Sequence, residues 1–425
     1  MAGSRQIALM DIRIPAGWTL AGLIAGLALG VALAGSAALG PVASVAAPVG
    51  KIWLNALQMT IIPLVAALLV TGVVTITLAA RGGTAGRRTV GWIFGLLVMS
   101  AALACVLMPL ILDLFPIPPG ASSFLSGGAA DGAGEVPAVG DFLVSLIAPN
   151  VFAAAAQTAM LPLTIFFVLF GMAVVRLPEA QRTTMTALFG ALANVMLVMV
   201  GWVLWTAPLG VFALAIGVGA AGGGGGAFVT LAHYILTVSL LGLAVTIIAY
   251  LIAWLVGRVG LAGFARAMVP AQVVAISTQS SLASLPAMLV SARRLGVRDS
   301  TAEFVLPLSV AMLRSTGPAM NVGVAIYVAH LAGIELGLLA FASALLIAPI
   351  ISLGSVSLPG SISFVISIGP IALAMGVPVE PLALLVAVEM LPDIMRTLGN
   401  VTMDVAVATA VDRHEDGEKQ DSLQP

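Results

Sequence analysis

"DIMRTLGNVTMD", residues 393–404, places two carboxylates and a guanidinium in an otherwise apolar part of the chain. The polar residues of this region recur at steps of three or four, which keeps their side chains on one face of an α-helix: Glu389, Asp393, Arg396, Asn400 and Asp404. An ionised side chain at the centre of a bilayer costs from ~2.5 to more than about 10 kcal/mol. The stripe must therefore face protein or water, and such residues typically line an ion or substrate path. The alternative is an ion pair that only holds helices together.

The composition is that of a polytopic membrane protein. The chain has 425 residues, of which 60% are hydrophobic and 8% charged, whereas about a quarter of the residues of a soluble domain are charged. Apolar runs of about 20 residues, each able to cross a bilayer core of ~30 Å, recur from residue 16 to residue 411. We predict an all-α protein with eight transmembrane helices. The net charge of −1 gives no indication of a nucleic-acid partner.

The distribution of arginine predicts the orientation in an inner or plasma membrane. Arginines cluster at one set of helix ends: Arg5, Arg13, Arg81, Arg87, Arg88, Arg176, Arg182, Arg258 and Arg266. The loop 116–141 contains acidic residues and no Lys or Arg. By the positive-inside rule the N-terminus is cytoplasmic, and eight crossings return the C-terminus to the same side. Residues 412–425 are polar and aperiodic, which predicts a disordered cytoplasmic tail.

Two segments do not read as simple membrane helices. Residues 270–290 and 348–370 are apolar at their ends but are interrupted by Ser, Gly or Pro in the middle. Such breaks are tolerated in a membrane where they line a protein cavity, and paired interrupted segments point to the binding site of a transporter. We interpret both as re-entrant hairpins with tips near Ser280 and Ser281 and near Pro359 and Gly360. Kinked helices are the alternative.

The stretch 393–404 resembles the signature of the dicarboxylate/amino acid:cation symporters, the glutamate transporter family. The resemblance covers nearly the whole chain, including "LNALQMTIIPLVAALLVTGV" (54–73), "APLGVFAL" (207–214), "SSLASLP" (280–286) and "SLGSVSLPG" (352–360). It implies a homotrimer that works by an elevator mechanism. Helices 1, 2, 4 and 5 would form a scaffold, and helices 3, 6, 7 and 8 with the two hairpins would form the transport core. The implied boundaries are 16–80 and 142–220 for the scaffold, and 86–115 and 227–411 for the core.

The resemblance also implies roles for individual residues. Asp393 stands where the family binds the α-ammonium group of the substrate, and Arg396 where it binds a side-chain carboxylate. The implied substrate-binding set is Ser280, Ser281, Gly317, Gly360, Asp393, Arg396, Thr397 and Asn400. Family members that transport succinate lack an acid at the position of Asp393, so its presence favours an acidic amino acid over a C4-dicarboxylate, which stays as the alternative.

The chain departs from the family at a sodium site. The family motif Asn-Met-Asp-Gly-Thr falls on residues 313–317, where this chain reads "LRSTG". In the third helix, Leu96 and Met99 stand where the family has Tyr and Thr, and only Ser100 matches. We therefore predict that Arg314 replaces sodium with a fixed positive charge near Asp404, unless its side chain extends to the membrane interface. The cation site or its substitute is predicted at Arg314, Glu389, Asn400 and Asp404, with no metal ligand set assigned.

These features predict a secondary transporter and not an enzyme. The sequence contains no nucleophile elbow, no metal-ligand spacing and no cofactor motif. We expect a proton rather than sodium as the coupling ion, with Glu389 as a candidate carrier, or uncoupled exchange. A different class stays open: a sensor or an anion channel that keeps the fold without coupled flux.

Overall fold

The chain folds into α-helices, as the sequence predicts. The computed structural model describes residues 16–81, 84–118, 144, 146–222, 225–354 and 360–421. These residues form 17 helices, and none of them belongs to a β-strand.

The first eight helices lie within residues 16–222. They are α1 (Ala16–Leu33), α2 (Leu39–Gln58), α3 (Ile61–Ala80), α4 (Thr84–Leu114), α5 (Val151–Ala156), α6 (Met160–Val174), α7 (Glu179–Trp205) and α8 (Ala207–Gly222). The remaining helices are α9 (Gly225–Leu255), α10 (Leu261–Thr278), α11 (Ser281–Arg294), α12 (Asp299–Met312), α13 (Thr316–Leu331), α14 (Leu338–Gly354), α15 (Gly360–Ala374), α16 (Leu382–Leu385) and α17 (Met390–Asp421).

Several helical stretches have the length and composition to cross a membrane. Five reach 18 residues or more: Leu39–Ala80, Gly86–Leu114, Glu179–Trp205, Phe228–Leu255 and Leu261–Thr278. Shorter apolar helices accompany them: Gly17–Leu33, Met160–Val174, Ala207–Ala220 and Leu338–Leu353. The protein is therefore an integral membrane protein, and the count of eight crossings stays a prediction.

A stripe of glycines on α1 brings this helix against α8. Gly22, Gly26 and Gly30 lie four residues apart, and a Cβ atom at any of them would be 2.2–2.4 Å from a backbone oxygen of α8. Only glycine permits so close an approach, which is the small-residue mode of packing between membrane helices. α2 also packs against α8, and α3 packs against α6 and α7.

The first interrupted segment forms two helices joined by a tight turn. α10 and α11 pack against each other. Between them Gln279 has a left-handed conformation (φ 50°), and the Ser280 Oγ accepts a hydrogen bond from the Ala283 N–H (3.2 Å). The turn lies at the predicted tip. Ser280 caps the N-terminus of α11, as serine commonly does. Its re-entry into the membrane stays a prediction.

The second interrupted segment also yields two packed helices, α14 and α15. Its tip is predicted near Pro359 and Gly360, and of these Pro359 lies outside the described residues. Gly360 is the first residue of α15.

The helices around α17 position the charged stripe. α17 packs against α9, α10, α11 and α12, and α13 packs against α4 and α9. The chain leaves helical geometry between α12 and α13, at residues 313–315. This break faces α17, because the first residue of α13 donates hydrogen bonds to it.

The prediction of a disordered tail from residue 412 is wrong as far as Asp421, where α17 ends. Extending an existing helix adds one hydrogen bond for each residue fixed, whereas starting a new helix is unfavourable. A polar segment that follows a long buried helix can therefore continue it without an apolar periodicity of its own.

Candidate functional site

Glu389, Asp393 and Arg396 form a compact buried group, which we call the charge cluster. Their exposed fractions are 0%, 3% and 3%. The Arg396 Nη2 lies 2.6 Å from the Glu389 Oε1, and the Arg396 Nε lies 3.3 Å from the Asp393 Oδ1. The backbone N–H of Asp393 donates to the Glu389 carbonyl (2.9 Å), which keeps both residues in helical register. All five residues of the stripe are buried, so they face protein, which is one of the two environments that the sequence predicts for them.

Two further residues hold the charge cluster from neighbouring helices. On α13, the Asn321 Oδ1 accepts a hydrogen bond from the Arg396 Nη1 (2.8 Å). On α9, the Tyr234 hydroxyl donates to the Glu389 Oε2 (3.1 Å). Among the described residues the Arg396 Nε faces Asp393 at 3.3 Å without forming a hydrogen bond, whereas its Nη1 and Nη2 and both oxygens of Glu389 have hydrogen-bond partners. Such satisfaction is what a buried ion pair needs in order to be tolerated.

Asn400 connects α17 to the start of α13. Its Oδ1 accepts hydrogen bonds from the Thr316 N–H (2.9 Å) and from the Thr316 hydroxyl (2.8 Å), and it lies 3.4 Å from the Ser315 Oγ. This oxygen therefore caps the N-terminus of α13, where unpaired N–H groups need an acceptor. Asn400 has only its amide Nδ2 left to offer a ligand. That group suits a substrate carboxylate and does not suit a cation.

Arg314 lies in the break between α12 and α13 and is buried. Its charge acts on Asp393 and Arg396. The expected position beside Asp404 is wrong, since no ion pair joins these two residues in the described part of the chain. Asp393 and Asp404 are eleven residues apart on α17, or ~16 Å at ~1.5 Å per residue. A guanidinium near the first cannot also reach the second.

Asp404 is the most isolated acid of the stripe. It is 1% exposed, and within the described ranges neither of its carboxylate oxygens has a hydrogen-bond donor. A buried carboxylate in this setting carries a large desolvation cost if it is ionised without a counter-charge. Asp404 is therefore suited to bind a proton or a cation.

The structure brings together the positions at which the sequence departs from the family. The Ser100 hydroxyl donates to the Ser315 carbonyl and accepts from the Ala319 N–H (3.0 Å). α4 and the break are therefore adjacent at this point. Leu96 is buried one turn away on α4. A hard cation such as sodium takes oxygen ligands, and the side chains of Leu96 and Met99 supply none.

The remaining predicted site residues lie at helix starts, except Thr397, which lies inside α17. Ser281 is the first residue of α11 and is buried, and Thr397 is buried beside Arg396. A Cβ atom at Gly317 would be 3.1 Å from the Ser352 Oγ, so α14 closely approaches α13 there. No hydrogen bond links Ser280 or Ser281 to the charge cluster among the residues with described positions.

Sequence reasoning missed Asn321, Tyr234 and Thr316. A signal was present for one of them, because Asn321 is the single carboxamide in the apolar run 316–331. Tyr234 carries no comparable signal, since its hydroxyl reaches Glu389 from a helix more than 150 residues earlier in the chain.

Comparison with known proteins gives consistent matches over most of the chain. The sequence profile of the sodium:dicarboxylate symporter family matches residues 16–414. A proton/glutamate-aspartate symporter from Escherichia coli (strain K12) is 27% identical over 389 residues, which cover 88% of this chain and 86% of the relative. A proton/sodium-glutamate symport protein from Bacillus caldotenax is 26% identical over 408 residues, or 93% of each chain. The human neutral amino acid transporter B(0) is 27% identical over 451 aligned positions, which cover 96% of this chain and 81% of the relative.

Proposed function

Because the chain belongs to the sodium:dicarboxylate symporter family, we propose that it is a secondary transporter of an acidic amino acid that works without sodium. Its family and relatives are transporters and not enzymes. Relatives named for glutamate and aspartate, and others named for neutral amino acids, support an amino acid as the substrate.

The observation that carries the proposal is the buried pair of Asp393 and Arg396 on α17. A planar guanidinium binds a carboxylate through two parallel hydrogen bonds, and a carboxylate one turn away suits an ammonium group. Arg396 would bind the side-chain carboxylate of the substrate and Asp393 its α-ammonium group. Thr397 and the Nδ2 of Asn400 would bind the α-carboxylate. Ser280, Ser281, Gly317 and Gly360 would close the site from the helix starts.

The proposal of sodium-independent transport is supported by the residues around Ser100. Leu96 and Met99 supply no oxygen ligands, and the Asn400 Oδ1 is used to cap α13. A ligand shifts a conformational equilibrium only through different affinities for the two states. A proton that binds a buried acid, Glu389 or Asp404, with different affinities in the two conformations could couple to transport. Uncoupled exchange is the alternative mode of transport.

An elevator mechanism in a homotrimer is part of the proposal. The packing of α1 and α2 on α8, and of α3 on α6 and α7, supports a scaffold. The packing of α17 against α9 to α12 supports a separate core that carries the substrate. Cytoplasmic N- and C-termini follow from the arginine distribution.

A C4-dicarboxylate is the second candidate substrate, favoured by one observation. The charge of Arg314 acts on Asp393, so this acid is already partly compensated and two guanidiniums lie near one site. Two guanidiniums suit a dianion without an ammonium group.

Uptake by proteoliposomes tests the proposal and separates the substrates. Saturable accumulation or exchange of labelled aspartate or glutamate is expected, with succinate a weak competitor. The Asp393→Asn variant should lose amino-acid binding, because nothing would then compensate the α-ammonium group. If succinate competes strongly and amino acids do not compete, the substrate is a C4-dicarboxylate. Binding without flux would indicate a sensor, and conductance without stoichiometric flux a channel.

A further inference from the structure

We propose that Glu389 serves Arg396 as an internal carboxylate, so that the transporter accepts amino acids with neutral side chains as well as acidic ones. This inference rests on the proposed function, because it assigns the substrate class of the same site. Glu389 would hold Arg396 when a neutral amino acid is bound and would have to be displaced by the carboxylate of an acidic one.

The guanidinium of Arg396 is already occupied by protein groups. A guanidinium holds a carboxylate bidentately along its Nε–Nη2 edge or its Nη1–Nη2 edge. Both edges include Nη2, which is 2.6 Å from Glu389. The Nε faces Asp393 at 3.3 Å and the Nη1 donates to Asn321 at 2.8 Å. A substrate carboxylate can therefore fork onto Arg396 only if Glu389 moves or shares its donor.

The ionised side chains around Arg396 balance one another in charge. The charges of Glu389 and Asp393 are matched by those of Arg396 and Arg314, so these four residues sum to zero in their ionised forms. A zwitterionic amino acid with a neutral side chain keeps the site neutral. An acidic amino acid adds one negative charge to a buried site, where an uncompensated charge is strongly unfavourable. The pair of Glu389 and Arg396 thus favours neutral substrates more than a site would in which the arginine had no internal carboxylate.

Glu389 is held in place from a second helix. The Tyr234 hydroxyl on α9 donates to its other oxygen at 3.1 Å. Glu389 is the last of four residues in turn conformation and directly precedes α17, so its backbone is not enclosed in a regular helix on both sides. The hydrogen bond from Tyr234 therefore restrains the Glu389 carboxylate, which would otherwise be held by Arg396 alone.

Competition binding with the full-length purified protein tests the inference. Labelled aspartate and labelled serine or alanine are used as the acidic and neutral probes on the parent protein and on Glu389→Gln. The parent should bind both classes. In Glu389→Gln the ratio of acidic to neutral affinity should rise by about tenfold or more, because Arg396 then has no internal anion. Glu389→Asp, which keeps the charge, should stay within a few-fold of the parent ratio.

The design separates selectivity from structural damage. Tyr234→Phe should shift the ratio in the same direction by a smaller factor, and it provides a second variant if Glu389→Gln does not fold. Glu380→Gln, which removes an exposed acid, should leave the ratio unchanged. A parent protein that binds only acidic amino acids would overturn the inference while leaving the proposed function intact. Equal loss of both classes in Glu389→Gln would also overturn it. If the parent binds neither class, the proposed function itself fails.

Discussion

Removing Arg396 while keeping Glu389 should destabilise the protein more than removing both charges. Arg396→Met leaves two buried carboxylates, Glu389 and Asp393, with one fewer guanidinium between them. Removing one partner of a buried ion pair typically costs ~3–5 kcal/mol, whereas replacing both with neutral groups is often tolerated. The pair is joined at 2.6 Å with exposed fractions of 3% and 0%, so solvent cannot relieve the remaining charge. We expect Arg396→Met to lose ~3 kcal/mol or more of unfolding free energy.

The assay is a double-mutant cycle on unfolding in mixed detergent micelles. The double variant Arg396→Met/Glu389→Gln should be less destabilised than Arg396→Met alone, with a coupling energy of ~2 kcal/mol or more. The exposed pair Arg293 and Asp299 is the matched control, because its side chains are 56% and 64% exposed. That pair should couple by less than ~1 kcal/mol. Additive losses at the buried pair would refute the reasoning, since they would mean that the two residues do not compensate each other.

Three other predictions follow from named contacts. Gly26→Leu should lower thermal stability by the equivalent of ~1–3 kcal/mol, because a Cβ atom there would lie 2.4 Å from the Phe212 carbonyl oxygen; an unchanged melting temperature would contradict the packing of α1 on α8. Asp412→Asn should lower the free energy of unfolding by ~1–2 kcal/mol, because it weakens the contact with the Arg298 Nε (2.7 Å). Thermal unfolding measures this loss, and an unaltered midpoint would contradict it. Arg314→Met should weaken substrate binding by about tenfold or more in competition assays, because Asp393 loses a compensating charge; equal affinity would remove Arg314 from the site.

The stripe on α17 could be predicted from the sequence because helical periodicity and the cost of buried charge act on the same residues. Steps of three and four among Glu389, Asp393, Arg396 and Asn400 place them together whatever surrounds them. The turn at Ser280 could be predicted for a different reason, because polar residues interrupt the apolar segment 270–290 in its middle.

The partners of the stripe could not be predicted, since they depend on how separate helices pack. Arg314 lies close to Asp393 because the chain breaks between α12 and α13, and no local propensity indicates where its side chain turns. Asn321 and Tyr234 reach the charge cluster from helices far away in sequence. The isolation of Asp404 is likewise a property of the packed structure, because it requires that no described residue of a neighbouring helix supplies a donor.

Uptake of labelled aspartate into proteoliposomes, with sodium replaced by choline, tests the central claim most directly. The claim is that this chain moves an amino acid through the site at Asp393 and Arg396 without sodium. We predict saturable uptake whose rate and affinity are nearly unchanged in choline, and which Arg396→Met impairs for aspartate. A steep dependence of uptake on sodium, or uptake of aspartate that does not depend on Arg396, would contradict the account.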